Sequence, residues 1–206
     1  MYWWLGITAI VAGALGYGYW EHTRESRRLT AIFTCLSEKF QGRVKSSSLL
    51  TLPQLHFELD GRKLLITAMP TSGHDAAGTT GYTSPFTFVN LELEFDSAQK
   101  IQIVRSISIV DQITATLSRK QCTVGEEAFD TAFRLRSDDC EFAIKLLDGA
   151  ARHKLLKSQL PSLDIRVEGR KISVHMNGYA QTQSEIEDLI EISKLIAERC
   201  SARQGA

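Results

Sequence analysis

The 206 residues include 24 basic and 24 acidic side chains, and 43% are hydrophobic, enough for one cored domain of about 160 to 180 residues besides an N-terminal segment. The charge balance excludes the broad positive field of a nucleic-acid binder, and no nucleic-acid partner is expected. Cys35, Cys122, Cys140 and Cys200 lie far apart, with no C-x-x-C and no histidine at zinc-ligand spacing, so they read as small buried hydrophobes in a reducing compartment.

In chain order, residues 3–20, WWLGITAIVAGALGYGYW, carry no charge, and 18 residues at 1.5 Å each cover roughly 27 Å, near the bilayer's hydrocarbon thickness. The expectation is a transmembrane anchor over residues 1–22. Trp3 and Trp4 at one end and Tyr17, Tyr19 and Trp20 at the other would sit at the two membrane interfaces. Arg24, Arg27 and Arg28 follow, which by the positive-inside rule puts the N-terminus outside and the domain in the cytoplasm of a single-pass inner-membrane protein. A cleaved signal peptide is the competing reading, since Ala12-Gly13-Ala14 resembles a cleavage site, but no basic residue precedes the apolar run. Ala9 with Gly13, and Ala12 with Gly16, form small-x-x-x-small ridges on which transmembrane helices of other subunits could pack.

Leu29, Ile32, Phe33, Leu36 and Phe40 recur at helical spacing, so residues 23–42 read as a juxtamembrane amphipathic helix stopped by Gly42. A soluble α+β domain over residues 43–206 is expected to follow. Asp60-Gly61 between LHFEL and RKLLITAM marks a hairpin. Residues 86–95 and 101–110 alternate as a second antiparallel pair, and residues 113–118 would extend the sheet. A short strand at Phe133 and Leu135 leads to Asp138 and Asp139, which are suited to cap a helix through Leu147. A helix over residues 150–160 ends at Pro161, then LDIRV, Glu168-Gly169 and KISVHM read as a third hairpin. Thr182 with Glu185, or Ser184 with Glu187, would open the closing helix with a capping box. Blocks of hairpins and helices without βαβ alternation predict α+β: a single N-terminal transmembrane helix followed by an antiparallel-sheet domain with packed helices.

No residues assemble into catalytic chemistry. The long irregular stretch at 70–85 lacks G-K-[ST] and any basic residue, so it is no phosphate cradle; His74 and Asp75 within it have no third ligand nearby. His22, His56, His153 and His175 show no H-x-x-x-H spacing, and no serine lies in G-x-S-x-G. No catalytic residue, metal or cofactor is therefore expected.

The segment FDTAFRLRSDDCEFAIKLLDGAARHKLL at 129–156, with the hairpin and helix after it, resembles bacterial membrane-anchored families of unknown function, through Phe129, Phe133, Asp138, Leu146 and Leu147. The resemblance covers roughly the C-terminal 80 residues and implies a bacterial source and a strand-helix-hairpin-helix order, but no activity. The architecture suggests a non-enzymatic accessory or scaffold subunit of a bacterial membrane complex, of the respiratory, photosynthetic or transport kind, with lipid and neighbouring helices as partners. The alternatives are a membrane-tethered sensor or ligand-binding domain, with the 70–85 loop at its pocket mouth, and an enzyme with an unrecognised site.

Overall fold

The computed structural model describes residues 3–46, 48, 51–69, 85–105, 120–160 and 162–204. Among them lie helices α1 (Trp3–Phe40), α2 (Glu127–Ala132), α3 (Cys140–Leu146), α4 (Gly149–Lys157) and α5 (Gln183–Gln204). The strands are β1 (Arg43–Lys45), β2 (Gln54–Leu59), β3 (Arg62–Met69), β4 (Phe86–Arg105), β5 (Lys120–Cys122), β6 (Phe133–Ser137) and β7 (Asp164–Asn177). They form one seven-stranded antiparallel sheet in the order β1-β2-β3-β4-β6-β5, with β7 along the other edge of β4.

The expected transmembrane helix is corrected. No described helix is long and apolar enough to cross a membrane. Helix α1 has the length, since 38 residues extend about 57 Å; it lacks the apolarity. Between the Trp3-Trp4 and Tyr17 ends lie only the 12 residues from Leu5 to Gly16, about 18 Å of helix against the ~30 Å of a hydrocarbon core. Gly6, Thr8, Gly13 and Gly16 dilute even that stretch. Absence of charge is a weaker property than hydrophobicity, and the expectation rested on the former.

Helix α1 is unbroken across the boundary predicted at residues 22 and 23. Its C-terminal part buries Leu29, Phe33 and Leu36 completely, and Phe40 stacks on Phe57 of β2 with ring centroids 4.9 Å apart. The expected stop at Gly42 falls one residue earlier. Gln41 takes the left-handed conformation (φ 53°), while the Gly42 N–H donates to Ser37 O at 2.9 Å, closing a Schellman motif. Gly42 is required for a different reason: a Cβ there would lie 2.9 Å from His56 O and 3.0 Å from Phe57 Cβ. The helix end and β2 approach too closely for any side chain between them.

Asp60 and Gly61 both have positive φ (51° and 77°), and Leu59 pairs with Arg62, the two-residue turn that β2 and β3 require. The other two hairpins are corrected. Residues 86–105 form a single strand, and so do 164–177, with β7 paired to β4 from Thr87↔Met176 through Val104↔Asp164. Glu168-Gly169 makes no turn: Gly169 (φ 58°) stands opposite Ser97, where β4 bulges, its stretch from Glu92 to Ile101 facing the shorter stretch of β7 from Lys171 to Val167. A glycine at positive φ serves a turn and a bulge equally, and its dipeptide alone does not choose. Strand β3 covers the first half of β4 and β6 the second half, so the long strand serves as a spine.

Helices α1 and α5 pack on one face of the sheet. Ile186, Leu189, Ile196 and Cys200 of α5 are buried with Leu55, Ile66, Val89, Leu91, Ile165 and Val174 in one core. The capping box of α5 pairs Thr182 with Glu185: the Glu185 N–H donates to Thr182 Oγ1 at 3.3 Å, and the Thr182 N–H to Glu185 Oε2 at 3.1 Å. Asp139, rather than Asp138, caps α3 by accepting from Phe142 N at 3.1 Å, and Asp148 caps α4 through Ala151 N at 2.9 Å. Helix α4 ends at Lys157, where Arg105 of β4 donates to the carbonyls of Leu155 and Ser158 at 2.7 and 2.6 Å. Pro161, residues 113–118 and residues 70–84 of the long loop, with His74 and Asp75, lie outside the described residues.

The reading of all four cysteines as thiols is also corrected. Cys122 and Cys140 form a disulfide with their Cα atoms 5.4 Å apart, leaving Cys35 exposed and Cys200 buried as free thiols. Spacing in sequence did not reveal the pair, because only the β5–β6 pairing and the turn into α3 carry the two residues together.

Candidate functional site

Three features stand outside the packed core, the first on α1. Tyr17, Tyr19 and Trp20 are 63%, 60% and 55% exposed, and a Cβ on Gly16 would meet nothing within 4 Å. At 100° per residue these four positions share one side of the helix, an arc of about 160°, and the domain leaves that side uncovered. Contact with the domain begins about one turn later, with His22 Nε2 3.4 Å from Ser48 O and Ser26 buried. The Arg24 guanidinium lies 5.5 Å from the Trp20 ring centroid, within cation–π range. Arg27 is exposed, whereas Arg28 turns into the domain, pairing with Glu25 and donating to Gln181 and to Ala180 O. Trp3, Trp4, Ala9, Ala12 and Gly13 lie on the helical backbone of α1, with their side-chain surroundings outside the described residues.

The second feature is on the sheet face turned away from α1 and α5. A depression of about 370 Å³ is lined by His56, Lys63, Leu65, Asn90, Glu92, Arg170 and Lys171. Cross-strand register builds it: His56 stands beside Leu65, Leu65 beside Asn90, and Glu92 beside Lys171. The Arg170 guanidinium is steadied on the carbonyls of Leu93 and Glu94 at 3.4 and 3.5 Å. Lys63 and Lys171 have no ion-pair partner among the described residues. The result is a cationic rim over a floor containing Leu65.

The third lies in the bend of the β4/β7 ribbon. Asp164 and His175 belong to one strand and would be about 36 Å apart if it were straight, yet His175 Nε2 is 3.3 Å from Asp164 Oδ2. Arg166 Nη2 reaches the same oxygen at 2.8 Å and Gln102 Nε2 at 3.2 Å. Asp164 is buried. Burial alone would raise its carboxyl, but the hydrogen bonds and positive charge of His175 and Arg166 outweigh this and hold it below the usual carboxylate range. A carboxylate occupied by three donors orients its neighbours and has little capacity left for a substrate proton. Among the described residues no hydroxyl or thiol nucleophile is hydrogen-bonded to His175, whose ring lies 5.9 Å from that of Phe86. Ser173, next but one along the strand, donates to Asn90. This cluster closes the bend. An aspartate within the apolar run LDIRV was its one trace in the sequence. Among the described residues no group of three or more His, Cys, Asp or Glu side chains could hold a metal.

No protein-family model matches the chain, and no curated protein matches it. Among solved structures it is similar to the crystal structure of the mycobacterial trehalose monomycolate transport factor A, TtfA, with a TM-score of 0.58 and 8% identity over 85% of this chain and 93% of that one. At that identity the likeness is one of fold.

Proposed function

We propose that this protein is a non-enzymatic accessory factor of a bacterial membrane machine, associated with the membrane and acting by binding. The observation that carries the reading is on α1, where three exposed rings and Arg24 form a side of the helix that the domain does not cover. Tyrosine, tryptophan and arginine together are the composition that settles at a lipid headgroup layer. The shared fold with a protein named as a transport factor favours transport over respiratory or photosynthetic assemblies. The saturated Asp164 cluster supports a role without catalysis. In a flotation assay with vesicles of mixed zwitterionic and anionic phospholipid, the full chain is expected to rise with the lipid. The Tyr17→Ser/Tyr19→Ser/Trp20→Ser variant should stay behind with its domain folded. A parent chain that remains with the unbound protein would refute the membrane contact.

The depression beside Lys63 and Lys171 favours a second reading, a ligand-binding domain for an anionic molecule with an apolar body. Under that reading a Lys63→Glu/Lys171→Glu variant loses function while still floating with vesicles.

A further inference from the structure

Arg24, Arg27 and Arg28 orient a domain only beside a membrane span, and no described helix is one; a disulfide reports on the compartment directly. Cys122 ends the edge strand β5 and is buried in the core, opposite Leu135 of β6. Cys140 opens α3, one residue after the capping Asp139. The β5–β6 pairing places Cys122, and the β6–α3 connection, held by the Asp139 N–H on Ser137 Oγ at 3.1 Å and by the Asp139 cap, places Cys140, so that their Cα atoms are 5.4 Å apart. That is within the narrow range a disulfide tolerates. The remaining cysteines cannot substitute: Cys35 is on the exposed side of α1, and burial of Cys200 pushes its thiol up to about 12, leaving almost no thiolate to react. Disulfides of this structural kind persist on the oxidising side of a membrane and are rare in a reducing cytosol.

We infer that the domain matures in an oxidising, extracytoplasmic compartment, where a thiol–disulfide exchange protein closes Cys122 and Cys140 and so fastens the β5 edge to α3. In the exchange one cysteine thiolate attacks the oxidant's disulfide to form a mixed disulfide. The second thiolate then attacks the chain's own sulfur and expels the oxidant as a dithiol. Two electrons and two protons pass from the chain to the oxidant, which balances the reaction. This inference is independent of the contact between α1 and lipid.

The test traps the full chain as it exists in cells of its own source. Cells are lysed into denaturant with excess N-ethylmaleimide, then the protein is reduced and treated with a maleimide-linked polyethylene glycol. The expected result is a gel shift of two adducts, with the linked peptides carrying Cys122 and Cys140. Cys35 and Cys200, blocked in the first step, should carry none. The Cys122→Ser/Cys140→Ser variant should give no shift. An unshifted parent chain means that all four thiols are reduced in the cell and overturns the inference. Two adducts on any other pair of cysteines overturn it equally. The parent measurement is decisive even if the variant does not fold.

Discussion

Replacing Asp164 with asparagine tests whether the ribbon bend is held electrostatically. Asp164 is buried and accepts from Gln102, Arg166 and His175. Removing one partner of a buried ion pair costs about 3 to 5 kcal/mol. Here the Arg166 side chain is 43% exposed and can rehydrate, so about 2 to 3 kcal/mol is the better figure. For a chain of this size each kcal/mol lowers Tm by about 2 to 4 °C, giving a fall of about 4 to 12 °C at neutral pH. The pH dependence has a definite sign. The folded carboxyl titrates below its unfolded value, so its contribution is complete above the unfolded pKa of about 3.9 and is lost as pH falls through the lower, folded value. Melting curves of parent and Asp164→Asn, followed by circular dichroism from pH 7 down to pH 3, should therefore show a gap that narrows at the acid end. A gap unchanged over that range, or absent at pH 7, would refute an ionised Asp164 as the clamp.

Gly42→Ala should lower stability by about 1 to 3 kcal/mol through overpacking, because its Cβ would meet the carbonyl oxygen of His56 at 2.9 Å; a denaturant titration that matches the parent would contradict the close approach of α1 to β2. Asp139→Ala removes the side-chain acceptor of Phe142 N and should cost about 1 kcal/mol, with faster amide exchange confined to α3; protection equal to the parent's would show that the cap contributes nothing.

Some of the architecture could be read from the residues alone, because it depends on neighbours in sequence. Asp60-Gly61 specifies its turn through two consecutive positive φ values, Thr182 and Glu185 complete a box three residues wide, and Leu29, Phe33 and Leu36 fall on one helix face wherever that helix lies. The exposed rings of Tyr17, Tyr19 and Trp20 were visible as a cluster for the same reason. What escaped depends on partners distant in the chain. Residues 86–95 with 101–110, and 163–167 with 171–176, looked like pairs of strands around a turn, since only the pairing of β4 with β7 on both sides of the bulge keeps each strand running through Ser97 and Gly169.

The residues themselves determined the periodicity of the helices, the caps and the tight turn. They also determined an N-terminal segment that is free of charge yet not apolar over a bilayer's thickness, because glycines and aromatic rings reduce its hydrophobicity. The tertiary structure alone decided that Cys122 and Cys140 are bonded, that Asp164 meets His175, and that His56, Lys63, Asn90 and Lys171 border one depression. The physical reason is one of range: caps and turns are settled by hydrogen bonds spanning a few residues, whereas strand register and bulges are settled by which distant strand shares the ladder, and side chains on different strands meet only after that choice.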